Sequence, residues 1–527
     1  MDYYELRDTN ELDIPETINN PKSFSELSEI QKCFYDKTVL LTGGSGFIGS
    51  LLLESFLRSC VGIKRVYVLL RPKKGKTVEE RLELLFQNEI FEKVLKKNPK
   101  ARSIVKIMNG DITEPMCALS DECINVIKEE VNFIVHAAAG LRMDEPLKIA
   151  YHMNVRSTLH LLQIAEHTKC LKSFVYVSTA YSHAFRPVIS EEFYKPGFNY
   201  QQLELLLDKL GDEEIAAITP KIVGPWGNTY TFTKAVCEDL VRSFGGKFPL
   251  AVVRPSIVIG CDKEPLEGWI NNFYGATGVS LAASLGLMRV WYGDPAKIAD
   301  IIPADKVVKA IIASMWYTIG TFKSDHQLVP IYNIVSSPKA PTTWDHYMGL
   351  VEKYAIEDKI VHSKSVGEYN FRLQPKRWLY FLQMYTMQLL SAIFIDLFLV
   401  LKGKKARLLN GYMKIHKFNM ALGFYSKHEW VYQQKNMDNV WNSMSELDKL
   451  LFNFDLSTLD WNQYHIRTIR AIRVYILKDP METLPQAREK YIKRSRIKKT
   501  VLTIISLFLY VYYVHDYVVG IYDMFST

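Results

Sequence analysis

A chain of 527 residues with 48% hydrophobic and 23% charged residues can bury one large core plus a second region, and this composition excludes a wholly disordered or coiled-coil protein. The formal charge of +8 collects largely in two places, Lys402 to Arg407 and Arg488 to Lys499, each bordering an apolar run, which suits a membrane surface and speaks against nucleic acid. The seven cysteines are odd in number and include no C-x-x-C pair; they indicate a reducing compartment and argue against a disulfide framework or a bound metal.

The acidic, polar start MDYYELRDTNELD lacks the apolar core of a secretory signal, and residues 1–35 are expected to form a loose arm. From Lys37 the pattern changes. KTVLLT, ending at Thr42, is a short apolar strand that meets Gly43-Gly44-Ser45-Gly46 and then an apolar-periodic helix over Phe47 to Ser59. A second strand, Arg65 to Leu70, precedes a charged helical stretch from Val78. Strands at Ser103 to Met108 and Asn132 to His136, a helix over about Tyr151 to Thr168, a strand at Ser173 to Val177, a helix from near Asn228 and a strand at Leu250 to Val253 continue the alternation. Strands separated by helices at this spacing predict an α/β fold, a Rossmann-type doubly wound parallel sheet with substrate-binding insertions, over residues 36–340. Long helices rich in aromatic, basic and aliphatic residues follow over 341–487. A basic stretch and a hydrophobic tail close the sequence over 488–527.

Gly43, Gly46 and Gly49 stand after a strand and at the opening of a helix, as a dinucleotide site requires. The first permits the turn, the second lets backbone approach a pyrophosphate, and the third lets helix and strand pack closely. Thr42, Phe47 and Ile48 flank them. The second strand ends in Leu70-Arg71-Pro72-Lys73-Lys74 without a carboxylate, and Arg71 is placed for bidentate contact with a 2′-phosphate, so NADPH is expected over NADH. Asp111 is a candidate acceptor for the adenine amino group. Ala137 and Pro255, at the ends of later strands, are further expected cofactor contacts.

Tyr230 and Lys234 lie four apart in Asn228-Thr-Tyr-Thr-Phe-Thr-Lys234, which puts both on one helix face. An ammonium fixed near a phenol favours phenolate and brings the acid towards working pH, so Tyr230 is the expected proton donor. Thr179, in the Ser178-Thr179 pair after a strand, is the expected hydroxyl for a developing oxyanion, with Ser178 a strand-end cap.

These residues occur in a series of segments that resembles the alcohol-forming fatty acyl-CoA reductases of the extended short-chain dehydrogenase/reductase group. The segments are LLTGGSGFIGS (ending at Ser50), VYVLLRPKKGK (Lys76), FVYVSTAYS (Ser182), NTYTFTK (Lys234), VVRPSIVIG (Gly260), EPLEGWI (Ile270) and DIIPADKVV (Val308). The resemblance implies that Thr179 and Tyr230 handle the carbonyl and that Lys234 also bonds the nicotinamide ribose. It further implies NADPH-dependent reduction of a long-chain acyl-CoA through an aldehyde to an alcohol, with release of CoA. Gly140-Leu141-Arg142-Met143, Ser157 and His183 depart from the family pattern, which puts chain-length preference and rate in question more than reaction type.

Val501 to Val514 is almost wholly apolar but falls short of the roughly 20 residues of a spanning helix; Tyr517 to Tyr522 supplies the length, with His515-Asp516 between. The basic stretch before it would stay cytosolic, placing the reductase on the cytosolic side of an endoplasmic reticulum membrane, with the peroxisome second. Trp378 to Leu401 contains Gln383, Gln388 and Asp396, which favours a monotopic helix; a buried core helix is the competing reading. An aldehyde-releasing reductase, a hydroxysteroid dehydrogenase and a non-catalytic NADPH-binding membrane scaffold remain as alternatives, and a homo-oligomer stays open.

Overall fold

The computed structural model describes residues 23–324, 328–356, 360–406 and 408–526. Helix α1 (Glu29–Phe34) leads into β1 (Thr38–Thr42), α2 (Phe47–Ser59), β2 (Arg65–Leu70), α3 (Val78–Phe86), β3 (Val105–Asn109), β4 (Phe133–His136) and β5 (Ser173–Val177). Then come α4 (Thr229–Arg242), β6 (Leu250–Pro255), α5 (Ala304–Thr321) and β7 (Ile331–Ile334). The seven strands form one parallel sheet in the order β7-β6-β5-β4-β1-β2-β3. The order in which successive strands are added reverses between β1 and β4, which opens a crevice at the carboxyl ends, where α/β sheets bind ligands. Thr42 pairs with both Leu69 and His136, and His136 with Tyr176, so these strand ends share one edge.

Every residue of β1 and β6 is buried, as strands covered on both faces must be. Leu52, Phe56, Val307 and Ile311 from α2 and α5 fill one face; Leu161, Phe232 and Leu240 fill the other.

The loose arm expected through residue 35 is corrected in its last part, residues 1–22 lying outside the described residues. Ser28 and Gln31 form a reciprocal cap that starts α1. Ile30 and Phe34 of that helix are fully buried, with Phe34 against Phe56 and Phe133. Strand β7, too short to show a period, was absent from the sequence expectations.

Beyond residue 340 the chain is mostly helical: α6 (Arg377–Leu401), α7 (Leu408–Lys427), α8 (Lys435–Ser443) and α9 (Leu484–Ser526) are the elements that matter here. These do not form a separate body. Met437 and Val440 of α8 enter the core beneath the sheet, and Val431–Tyr432 pairs in parallel with Val188–Ile189 of the reductase half.

Candidate active site

Gly43 has a φ of +73°, and a Cβ there would stand 2.8 Å from the Ala138 nitrogen and 2.9 Å from the Ala137 carbonyl carbon, so the loops after β1 and β4 touch backbone to backbone. A Cβ on Gly49 would lie 2.1 Å from the Gly43 oxygen, whereas Gly46 has only that oxygen nearby, at 3.1 Å. Gly46 caps α2 without a side-chain bond, leaving the helix N-terminal N–H groups to an anion. Phe47, stacked on Trp269 at 5.8 Å, and Ile48 form the first turn. The Thr42 hydroxyl bonds the His136 ring at 2.7 Å and accepts from the Ala138 N–H at 3.2 Å. Burial, then Lys234, hold the imidazole down to about 3, so His136 is a neutral tie between strand ends.

Arg71 and Asp111 meet at 2.6 Å at the ends of β2 and β3. Asp111 also accepts from the Thr113 N–H and hydroxyl, and despite its partial burial these bonds hold its carboxyl below the usual range. Arg81, in α3, was not anticipated. Its guanidinium donates to the Arg71 carbonyl and, at 2.9 Å, to the Ser45 hydroxyl in the glycine loop. Burial and then the Arg71 charge push its pKa down, which marks two cations facing one edge of the nucleotide cradle. A 2′-phosphate there would relieve that repulsion, so the residues present fit NADPH.

The catalytic candidates converge at the same edge. Asn228 caps α4, its side chain accepting from the Thr231 N–H at 2.9 Å, and this starts the helix that carries Tyr230 and Lys234. The Lys234 ammonium lies 4.7 Å from the Tyr176 ring centroid and donates to the Val177 carbonyl at 2.7 Å. Burial pulls it down to about 8. Burial pushes the Tyr230 phenol above its ordinary value; Tyr425 adds to this and the Thr179 hydroxyl opposes it. The expected acidification of Tyr230 by Lys234 is therefore corrected: the ammonium is engaged by a backbone carbonyl, and desolvation governs the phenol.

Ser178 turns away from the site and donates to Glu238, which also receives Arg254 at 2.6 Å and His183 at 3.2 Å. All three lie in the core, and the Arg254 charge holds the Glu238 carboxyl well below the usual range against its burial. Ala180 donates to the carbonyl of Pro255 at 2.9 Å, which fixes the Thr179 loop to the end of β6. Asn154, also unanticipated, joins the Gly140 N–H at 2.8 Å to the Thr233 hydroxyl at 2.9 Å and so ties the loop after β4 to α4. Ser157 bonds backward to Met153 within its helix.

Thr179 and Tyr230 open onto a cavity of about 800 Å³. Val279, Trp291, Tyr347 and Phe371 give it apolar walls, Phe418, Leu422 and Tyr425 of α7 close it, and Leu141 to Met143 stand at its border.

The family model described as male sterility protein matches residues 41–311, and a second model of the same description matches 387–479. The chain is 34% identical to the fatty acyl-CoA reductase wat of Drosophila melanogaster, over 90% of this chain and 91% of that protein. It is 33% identical to fatty acyl-CoA reductase 1 of Homo sapiens, over 91% and 92%. Among solved structures, the reductase domain of a nonribosomal peptide synthetase from Mycobacterium tuberculosis is similar at a TM-score of 0.55 and 19% identity, covering 89% of this chain and 96% of that one. The terminal R domain of the myxalamid pathway is similar at 0.53 and 18%, covering 84% and 92%. These two likenesses bear on the fold.

Proposed function

Since the chain belongs to the fatty acyl-CoA reductase family, we propose that it reduces long-chain fatty acyl-CoA with NADPH, through the aldehyde, to a primary alcohol and free CoA. The observation that carries this reading is the junction of Thr179 and Tyr230 with a large apolar cavity walled by both halves of the chain, suited to an alkyl chain with its carbonyl at the polar end. NADPH, when bound, supplies hydride to that carbonyl carbon.

Gly43, Gly46, Gly49 and the start of α2 hold the pyrophosphate, Arg71 and Arg81 the 2′-phosphate, and Asp111 the adenine side. Thr42, Phe47, Ile48, Ala137 and Pro255 border the path towards the nicotinamide. Lys234 bonds the nicotinamide ribose. Thr179 orients the substrate oxygen, and Tyr230, whose buried phenol keeps its proton, delivers it as negative charge develops. Two such rounds are needed, the thioester losing CoA between them.

Membrane attachment supports the same substrate. Two helices, Arg377–Leu401 and Met481–His515, are long and apolar enough to cross a membrane. In α6 Gln388 and Asp396 face the protein: Gln388 accepts from the Arg289 N–H, and Asp396 caps the start of α7 through Leu408 and Leu409. Trp378, Phe394, Leu397 and Phe398 are exposed on its other side. We read α6 as lying in the membrane surface and the tail as the anchor, in the endoplasmic reticulum with the reductase in the cytosol.

Detergent-solubilised protein given palmitoyl-CoA with NADPH or NADH, with chromatography of the lipids, tests the function. Alcohol made with NADPH and lost in Tyr230→Phe is expected. Aldehyde alone would revise the second round, and no product at any chain length would favour the steroid dehydrogenase or scaffold alternatives.

A further inference from the structure

The loop and the helix that carry the catalytic candidates are both held from the far end of the chain. Trp430 donates its indole N–H to the Ala184 carbonyl at 2.7 Å, and Tyr432 donates to that of Ala180 at 3.4 Å, gripping the loop that begins at Thr179. Tyr425 of α7 packs edge-on against Tyr181 at 5.2 Å between ring centroids, and it lines the cavity beside Thr179, Tyr230 and Thr231.

Its hydroxyl is tied to the start of α4, where the Asn228 side-chain amide donates to it at 3.0 Å. Thr231 donates its hydroxyl to the Trp226 carbonyl at 3.2 Å and its N–H to the Asn228 oxygen at 2.9 Å. Asn228 is thus held at both ends of its amide: its oxygen starts the helix, and its nitrogen is fixed by a phenol 197 residues away. Tyr230 sits between Asn228 and Thr231, whose N–H the Asn228 oxygen holds. A helix end fixed by a cap alone frays within its first turn, whereas one tied to a buried phenol keeps the register a proton donor needs.

We propose that Tyr425 is a positioning residue for Tyr230, which makes the C-terminal helical region an integral part of the active site. This inference rests on acyl-CoA reduction as the activity measured, so wild-type turnover is read first, and its absence would count against the proposed function, not against Tyr425.

The test is a double-mutant cycle on the full chain in detergent, following palmitoyl-CoA-dependent NADPH oxidation. Tyr425→Phe keeps the ring against Tyr181 and removes only the hydroxyl. Asn228→Ser keeps a capping oxygen for Thr231 and removes the amide donor, which bonds Tyr425 and, more weakly at 3.4 Å, the Trp226 carbonyl. Each variant is expected to lose about tenfold in kcat with the acyl-CoA KM within about twofold, and the pair together about tenfold as well, because both break one linkage. A Tyr425→Phe enzyme with wild-type kcat, a change confined to KM, or losses that multiply to about a hundredfold would overturn the proposal. If Tyr425→Phe fails to fold, Asn228→Ser alone carries the test: wild-type kcat in that variant overturns the proposal equally.

Discussion

Lys234 and Val177 are joined across 2.7 Å, ammonium to backbone carbonyl, at the point where β5 ends. The bond orients a buried cation beside the site and leaves the phenol's proton affinity to burial. A charged Lys234 bonds the carbonyl and, in the proposed mechanism, the ribose; the neutral amine would do so poorly. Activity limited by this group in the cofactor-free enzyme should fall as pH rises through about 8. Lys234→Met should cost at least about a hundredfold in kcat/KM. Stability runs the other way, because burial of this lysine opposes folding in full below about 8, and the penalty is relieved only as pH rises from there towards the unfolded value of 10.5. Lys234→Met should therefore melt no lower than the wild type at pH 7, and a fall of several degrees would show that the ammonium is needed for the fold.

The two glycines of the cradle make separable predictions. Gly46→Ala places its Cβ 3.1 Å from the Gly43 oxygen, which a small shift accommodates, but the methyl would enter the proposed pyrophosphate approach. The expected result is a near-normal melting temperature with NADPH binding weakened more than about tenfold. In Gly49→Ala the contact is 2.1 Å, to backbone, and helix and strand must part. That variant should lose about 1–3 kcal/mol of stability as well. Equal melting temperatures for the two would contradict this division.

Arg71 and Arg81 face the same edge of the cradle, so removing either should weaken NADPH in preference to NADH. Charge-assisted bonds of this kind contribute about 1.5–3 kcal/mol, which corresponds to roughly ten- to a hundredfold in the NADPH KM for Arg71→Ala. Steady-state kinetics with both cofactors measures it. Parallel losses for NADPH and NADH would remove the 2′-phosphate role.

How far the site was legible in the sequence follows from how local each cause is. Helix α2 runs over Phe47–Ser59 as its apolar period requires, and the sheet follows from short apolar runs spaced by helices. Tyr230, Lys234 and Thr179 stood out because their chemistry lies in short motifs. Arg81 carried a weak local signal, a cation in the helix after the Arg71 turn. Tyr425, Asn154 and Glu238 carried none, since each works through a partner tens to hundreds of positions away. The surroundings of Lys234 are hidden for a related reason: spacing places two residues on one face but says nothing of the Val177 carbonyl that the ammonium bonds.

Glu238 offers a test of the core beneath Thr179. Its carboxylate holds the buried Arg254 and bonds Ser178 and His183. The unfolded glutamate titrates near 4.5 and the folded one well below, so the stability it contributes is complete above about 4.5 and is lost as pH falls further. Glu238→Gln leaves Arg254 without its counter-charge and should cost about 3–5 kcal/mol at pH 7. Melting curves from pH 3 to 7 should show the wild type approaching the variant only at the acid end. A constant gap across that range would mean that the pair is not what the fold loses in acid.

On the proposed reading, attachment to the membrane divides between α6 and the tail. Ending the chain after Lys499 removes the apolar run from Val501 but leaves the outward face of α6, with Phe394 and Phe398 exposed. That truncated protein should still sediment with membranes at low salt and be released by alkaline carbonate, as a helix lying in the surface would be. Adding Phe394→Glu and Phe398→Glu, which alter exposed positions and spare the packed face at Met384 and Ala392, should bring it into the soluble fraction without loss of turnover on a detergent-dispersed substrate. Full solubility from the truncation alone would assign all attachment to the tail and leave the α6 face to another contact. Continued carbonate resistance would instead require α6 to pass through the bilayer, against the inward turn of Gln388 and Asp396.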